Sequence, residues 1–348
     1  MKSRLETSSS PFVRCVDGGR DLLWIVASHV DLPRGKFGQS RVFARKPGSK
    51  VFLNCDGNSW YQQGVGPDLP SFDALLHALV EHAARFKQVR VVGHSMGAYL
   101  ALVLQHEIDA QYCFVSSPEP ILGIEASRSD LNRVRIVPEW RDLYERYAGR
   151  KPLSPGVAFY GAYDPVDAYF LSQIERHFPL YCRLLVVPHH HGVTEYLAGH
   201  GRYGDLLEGE NGVRAVYRNK LAFYPSDFGT KHAFKDYYEL YRAFRARDLD
   251  ALKERLAKRP KWHNAGYLEL RARALSSLGR YEEAVEVAET AIDWNLSYGE
   301  PIVTMARALR RSGNRKKALW LLAKLEGAVA ERSVRGKVED ALRSLVPG

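Results

Sequence analysis

Cysteine is scarce in this 348-residue chain. The four present, Cys15, Cys55, Cys113 and Cys182, are widely spaced, with no C-x-x-C or other metal-ligand interval among them. That excludes a disulfide framework or a cysteine-built zinc site, and it fits reduced thiols in the core of a cytoplasmic protein. No run of about 18 apolar residues occurs, so no membrane-spanning helix is expected. The opening MKSRLETSSSPFVRC has no apolar core of the kind an export signal needs, which also points to the cytoplasm. Nucleic-acid-binding motifs are missing too, so nucleic acid is not an expected partner despite the basic balance.

What is present is an uneven charge and two kinds of local pattern. The net charge is +10, yet residues 231–348 hold 24 Lys and Arg against 16 Asp and Glu, leaving 26 against 24 for the first 230. A solvated helical surface accounts for such a surplus, and a groove for an acidic partner is the alternative. Up to about residue 225, apolar runs alternate with helical spacing. LLWIVAS (22–28), KVFLN (50–54), VRVVGHS (89–95), AQYCFVSS (110–117), GVAFYGA (156–162) and CRLLVVPH (182–189) read as buried strands. FDALLHALVEHAARF (72–86), AYLALVLQHEI (98–108) and AYFLSQIERHF (168–178) read as helices between them. The expectation is an α/β fold: an open, mostly parallel sheet with helices on both faces. The charged, aromatic stretch 123–155 interrupts the alternation and reads as an insertion or lid over the strand ends.

From about Lys231 only helical patterns remain. ARAL recurs at 272–275 and 306–309, an offset of 34, which Gly279 and Gly313 share with Ala284 and Ala318. This period, with small residues at helix crossings and Gly in the turn, resembles a tetratricopeptide repeat over roughly 260–327. Segments 237–260 and 338–346 read as a degenerate leading hairpin and a capping helix. The division expected is therefore 1–230 and 231–348, the second a small all-α domain that suits a protein partner or a homodimer.

Gly93-His94-Ser95-Met96-Gly97 is a G-x-S-x-G set between a buried-strand run and an apolar helix. A reversal that tight leaves little room around the serine, and glycine two positions either side relieves it. From about Asp21 to Leu207 the chain resembles the α/β-hydrolase superfamily, whose nucleophile sits on such an elbow. The resemblance implies an acid and then a histidine, each after a later strand. Asp164, in the turn after GVAFYGA, is the preferred acid and Asp167 the rival. His191 of His189-His190-His191-Gly192 is the preferred base, with His190 the runner-up. A metal on the triple histidine is disfavoured, because adjacent side chains on an extended chain diverge. The oxyanion hole implied takes the Met96 N–H and a second donor from Ser28 or His29. Trp60 and Tyr61, in NCDGNSWYQQGVG, are candidates for a ring-stacking substrate surface. That segment has a fainter similarity to hydrolase-like proteins of bacterial surface-polysaccharide and accessory-secretion systems.

Three functions fit these residues. The first is an esterase-type serine hydrolase, cofactor-free and metal-free, acting on a small-molecule or glycan acyl ester. The second is a scaffold whose helical repeats bind a partner while the hydrolase-like domain is secondary. The third is an acyltransferase on the same three residues, with an acceptor hydroxyl in place of water.

Overall fold

The computed structural model describes residues 3–108, 110–150, 152, 156–173, 183–258, 262, 264–295, 298–326 and 332–343. Cys182, the expected helical residues 174–178, the end of the insertion (151 and 153–155) and residues 344–346 of the capping helix lie outside them. The chain divides into two compact units. One comprises Met1–Gly161 with Gln173–Asp227, the other Ala162–Ser172 with Phe228–Gly348. No helix among the described residues is long and apolar enough to cross a membrane.

The first unit is built on seven strands: β1 (Val13–Val16), β2 (Leu22–Ala27), β3 (Ser49–Leu53), β4 (Gln88–His94), β5 (Tyr112–Ser116), β6 (Gly156–Gly161) and β7 (Arg183–Val187). Their order across the sheet is β1-β3-β2-β4-β5-β6-β7. Every pairing is parallel except that of β1 with β3. The fold is thus α/β-hydrolase-like, a mostly parallel sheet followed by a helical region. Strands β3, β5 and β6 are buried at every residue, which is why they read as continuous apolar runs rather than alternating ones. The antiparallel edge strand β1 was not anticipated; its alternation of half-buried and exposed residues spans only four positions.

Ser71 starts the helix Phe72–Ala83 by accepting the Ala74 N–H at 3.1 Å. The inserted stretch docks on that helix. Trp140 is buried, donates Nε1–H to Asp73 at 2.9 Å, and lies 4.6 Å from the Phe72 ring, with the Arg146 guanidinium 3.4 Å from its own ring centre.

In the second unit, helices Lys231–Ala246, Leu249–Ala257, Ala265–Ser277, Tyr281–Trp294, Glu300–Arg311, Arg315–Glu326 and Arg332–Arg343 follow one another. The 34-residue offset has a structural counterpart. Gly279 and Gly313 both turn the chain at positive φ (77° and 82°), which a side chain resists. Ala272, Ala274, Ala284, Ala306, Ala308 and Ala318 are all buried, small enough to let neighbouring helices approach.

The same unit includes the turn after β6 and the helix Pro165–Ser172, so the boundary is not the single cut expected at 230. Asn264 Nδ2–H donates to Ala162 O, Tyr237 Oη–H to Tyr163 O and Asn295 Nδ2–H to Tyr163 Oη, each at 2.9 Å. A Cβ on Gly266 would lie 2.4 Å from Tyr163 Cα, so only glycine admits this approach. Asn264 also caps the helix Ala265–Ser277 by accepting the Tyr267 N–H at 3.0 Å. Replacing it removes a cap and orphans a buried carbonyl. Asn264→Ala is expected to cost about 2 kcal/mol in chemical denaturation of the full chain; an unchanged midpoint would contradict this role.

Candidate active site

Ser95 lies between the end of β4 and the helix Met96–Glu107, at φ 53° and ψ −117°. A non-glycine residue there is strained by roughly 1–3 kcal/mol, so the surroundings must hold it. They do so by backbone contact. A Cβ on Gly93 would stand 2.2 Å from Gly97 O, and one on Gly97 would stand 2.2 Å from Ala27 O and 2.7 Å from Ser28 O. Both glycines of the motif are therefore steric requirements where the helix start crosses the ends of β4 and β2. The Ser95 N–H donates to Ser116 O at 2.9 Å, tying the turn to the end of β5.

The serine has a histidine beside it. His191 Nε2 lies 2.8 Å from Ser95 Oγ. With its hydrogen on Nδ1, the ring accepts the Ser95 hydroxyl proton in the geometry that general-base activation needs. Ser117, left-handed at φ 48°, supports this loop: its Oγ–H donates to His191 O at 3.1 Å and its N–H to Phe159 O at 2.7 Å. A Cβ on Gly161 would meet His190 O at 2.2 Å, so the end of β6 also presses on the histidine loop. His190 turns the other way. It is exposed, and its Nδ1 accepts the Gly192 N–H at 3.0 Å.

The elbow histidine adds a feature that the motif alone does not assign. His94 is 5% exposed, its Nδ1 pairs with Ser116 Oγ at 2.9 Å, and its ring centroid lies 5.2 Å from His191 and 5.9 Å from His29. Burial, and secondarily the neighbouring His191, push its pKa down to about 3, so it is neutral beside His191. Ser116 and Ser117 were not singled out in the sequence. The only signal was a serine pair closing the run YCFV, with no spacing that marks a role.

Two of the expected oxyanion donors stand differently from the third. Met96 occupies the first helical position, where a backbone N–H has no intrahelical acceptor. The Ser28 N–H is already spent on Leu53 O at 2.9 Å, which removes Ser28 from the two residues expected to give the second donor. Trp60 and Tyr61 also need correction. Both are completely buried at positive φ (50° and 61°), and Tyr61 Oη bonds to Ser28 O and Leu53 O at 3.1 and 3.2 Å. Tyr61 thus braces the ends of β2 and β3, and neither buried ring offers a stacking surface.

The carboxylates belong to the other unit. Asp164 Oδ1 accepts the N–H groups of Val166 and Asp167 at 2.9 and 3.0 Å, so Asp164 caps the helix Pro165–Ser172. The sequence pattern placed that helix from Ala168. Proline at the first helical position sets the start three residues earlier, and Asp167 is buried within the first turn.

No protein-family model matches the sequence, and no curated protein does either. Solved structures give distant likenesses. Fluorophosphonate-binding serine hydrolase F of Staphylococcus aureus is 13% identical, matching 48% of this chain and 75% of its own at a TM-score of 0.34. Esterase 2 of Thermogutta terrifontis is 14% identical, over 50% and 76%, at 0.35. An uncharacterised protein of Capnocytophaga ochracea is 10% identical, over 99% and 98%, at 0.30.

The buried imidazole makes a pH prediction. The folded pKa of His94 is below its ordinary value, so the unfolded chain takes up the extra proton first and stability falls as pH falls. This contribution is whole above about pH 6.5 and is lost progressively toward about 3. His106, also buried and pushed down to about 4 by burial and then by Arg150, adds a slope of the same sign. In urea titrations across that window, His94→Gln is expected to remove up to ~1.4 kcal/mol per pH unit, leaving the His106 share. An unchanged slope would contradict a neutral His94.

Proposed function

We propose that the chain is a serine hydrolase of the esterase type. What carries the reading is the 2.8 Å approach of His191 Nε2 to the hydroxyl of a serine held at φ 53°. Serine at its free pKa is a weak nucleophile, and a base in this position is what activates it. Ser95 Oγ attacks the acyl carbonyl while His191 takes its proton. The oxyanion that forms is received by the N–H groups of Met96 and His29. Collapse breaks the ester bond, His191 returns its proton to the departing alkoxide, and the acyl group stays on Ser95. Water, deprotonated by His191, then attacks the acyl-enzyme and releases the acid.

The imidazolium formed in each half-reaction calls for a carboxylate, which we assign to Asp164, the first acid in the chain after β6, with Asp167 as the alternative. The neutral His94 beside His191 matters to the same step, since a second cation there would oppose protonation of the base. With Trp60 and Tyr61 buried, the reading is an acyl ester with no preference for a glycan.

Hydrolysis of p-nitrophenyl acetate tests the roles. Ser95→Ala and His191→Ala are each expected to lower kcat by roughly a thousandfold or more, and His190→Ala by less than about tenfold. Asp164→Asn is expected to lose more than Asp167→Asn. A Ser95→Ala variant as active as the parent would sink the mechanism, and a larger loss in Asp167→Asn would transfer the acid's role to that residue.

A further inference from the structure

A pocket of about 200 Å³ lies beside β7 and shares no lining residue with the candidate active site. Its first wall is Arg183, the opening residue of β7, whose closing end leads into the histidine loop. Parallel strands keep their N-terminal and C-terminal ends on opposite edges, so the pocket and the candidate active site are separate. Leu185 and Val213, both largely buried, form an apolar floor.

Three guanidiniums converge on the opening. Arg183 and Arg214 share one oxygen of Glu210, at 2.6 and 3.1 Å, and so are drawn toward each other. Arg218 follows Arg214 by one helical turn on Glu210–Arg218, and no ion pair of Arg218 occurs among the described residues. Even with Glu210 counted, the three guanidiniums leave a surplus of two positive charges, and like charges at that spacing repel unless an anion sits between them.

The remaining walls are aromatic. Tyr217 and Tyr224 are 42% and 44% exposed, with ring centroids 5.1 Å apart and planes inclined at 54°. Tyr224 is held there because its neighbour Phe223 exchanges two backbone hydrogen bonds with Val186 on the open edge of β7, at 2.8 and 2.9 Å. Exposed tyrosines fixed beside forked guanidiniums present a ring face and a phosphate cradle side by side.

We propose that this pocket binds a planar ring carrying a dianionic phosphate monoester, with the phosphate on Arg214 and Arg218 and the ring against Tyr217 and Tyr224. A nucleoside monophosphate and an aryl phosphate share that chemistry. The test is calorimetric titration of the full chain, at matched ionic strength, with adenosine monophosphate, phenyl phosphate, inorganic phosphate and adenosine.

At least one of the two ring-bearing phosphates is expected to saturate a single site roughly tenfold more tightly than inorganic phosphate or adenosine. The tighter of the two identifies the source of the ring. Arg218→Ala is expected to weaken that binding about tenfold, and Tyr217→Ala to abolish the advantage over inorganic phosphate. Both side chains are exposed, so folding is spared. Inorganic phosphate binding as tightly as the organic phosphates, binding unchanged in Arg218→Ala, or no saturable binding of any probe would each overturn the proposal. None of these readouts depends on Ser95.

Discussion

The first unit turns on a backbone crossing. At Gly93 and Gly97 the end of β4, the start of the following helix and the end of β2 approach so closely that a single methyl group at either position would overlap a carbonyl oxygen. Only that approach sustains a serine at φ 53°. The strain is local, whereas the restraint comes from the buried core: Trp24, Phe52, Phe114 and Phe159 fix the strands whose ends meet at the turn. Everything at the candidate site follows from where those ends lie. Ser116 and Ser117, closing β5, hold the elbow on one side and the histidine loop on the other.

Three neighbouring histidines differ in burial and in the partner each one meets. His191 is half-buried and faces Ser95, His94 is sealed beneath it and stays neutral, and His190 folds back on its own loop. Burial thus keeps His94 uncharged near neutral pH, although it lies one ring's breadth from the histidine that faces the serine.

Much of this was legible in the sequence, and for a physical reason. Strands covered on both faces have few polar positions, so β2 to β7 announce themselves as largely apolar runs, and the glycines flanking Ser95 mark a steric need that nothing else satisfies. His191, expected as the base from the resemblance, is the histidine whose Nε2 lies 2.8 Å from Ser95 Oγ. What was not legible depended on tertiary approach. Trp60 and Tyr61 look like surface aromatics in a polar loop, yet successive left-handed residues turn both inward. The Ser28 N–H is lost to a carbonyl on β3 that no local pattern reveals. The grouping of Ala162–Ser172 with the helical unit rests on side chains about 75 to 130 residues away, Tyr237, Asn264 and Asn295. In the helical unit the 34-residue offset showed through because each copy repeats the same glycine turn and the same buried alanines.

The central claim is that Ser95 is chemically activated by His191, and covalent labelling of the purified full chain with a fluorophosphonate probe tests it most directly. The account predicts labelling at Ser95 that disappears in both Ser95→Ala and His191→Ala. Labelling that survives either substitution, or a folded parent protein that takes up no label, would contradict it.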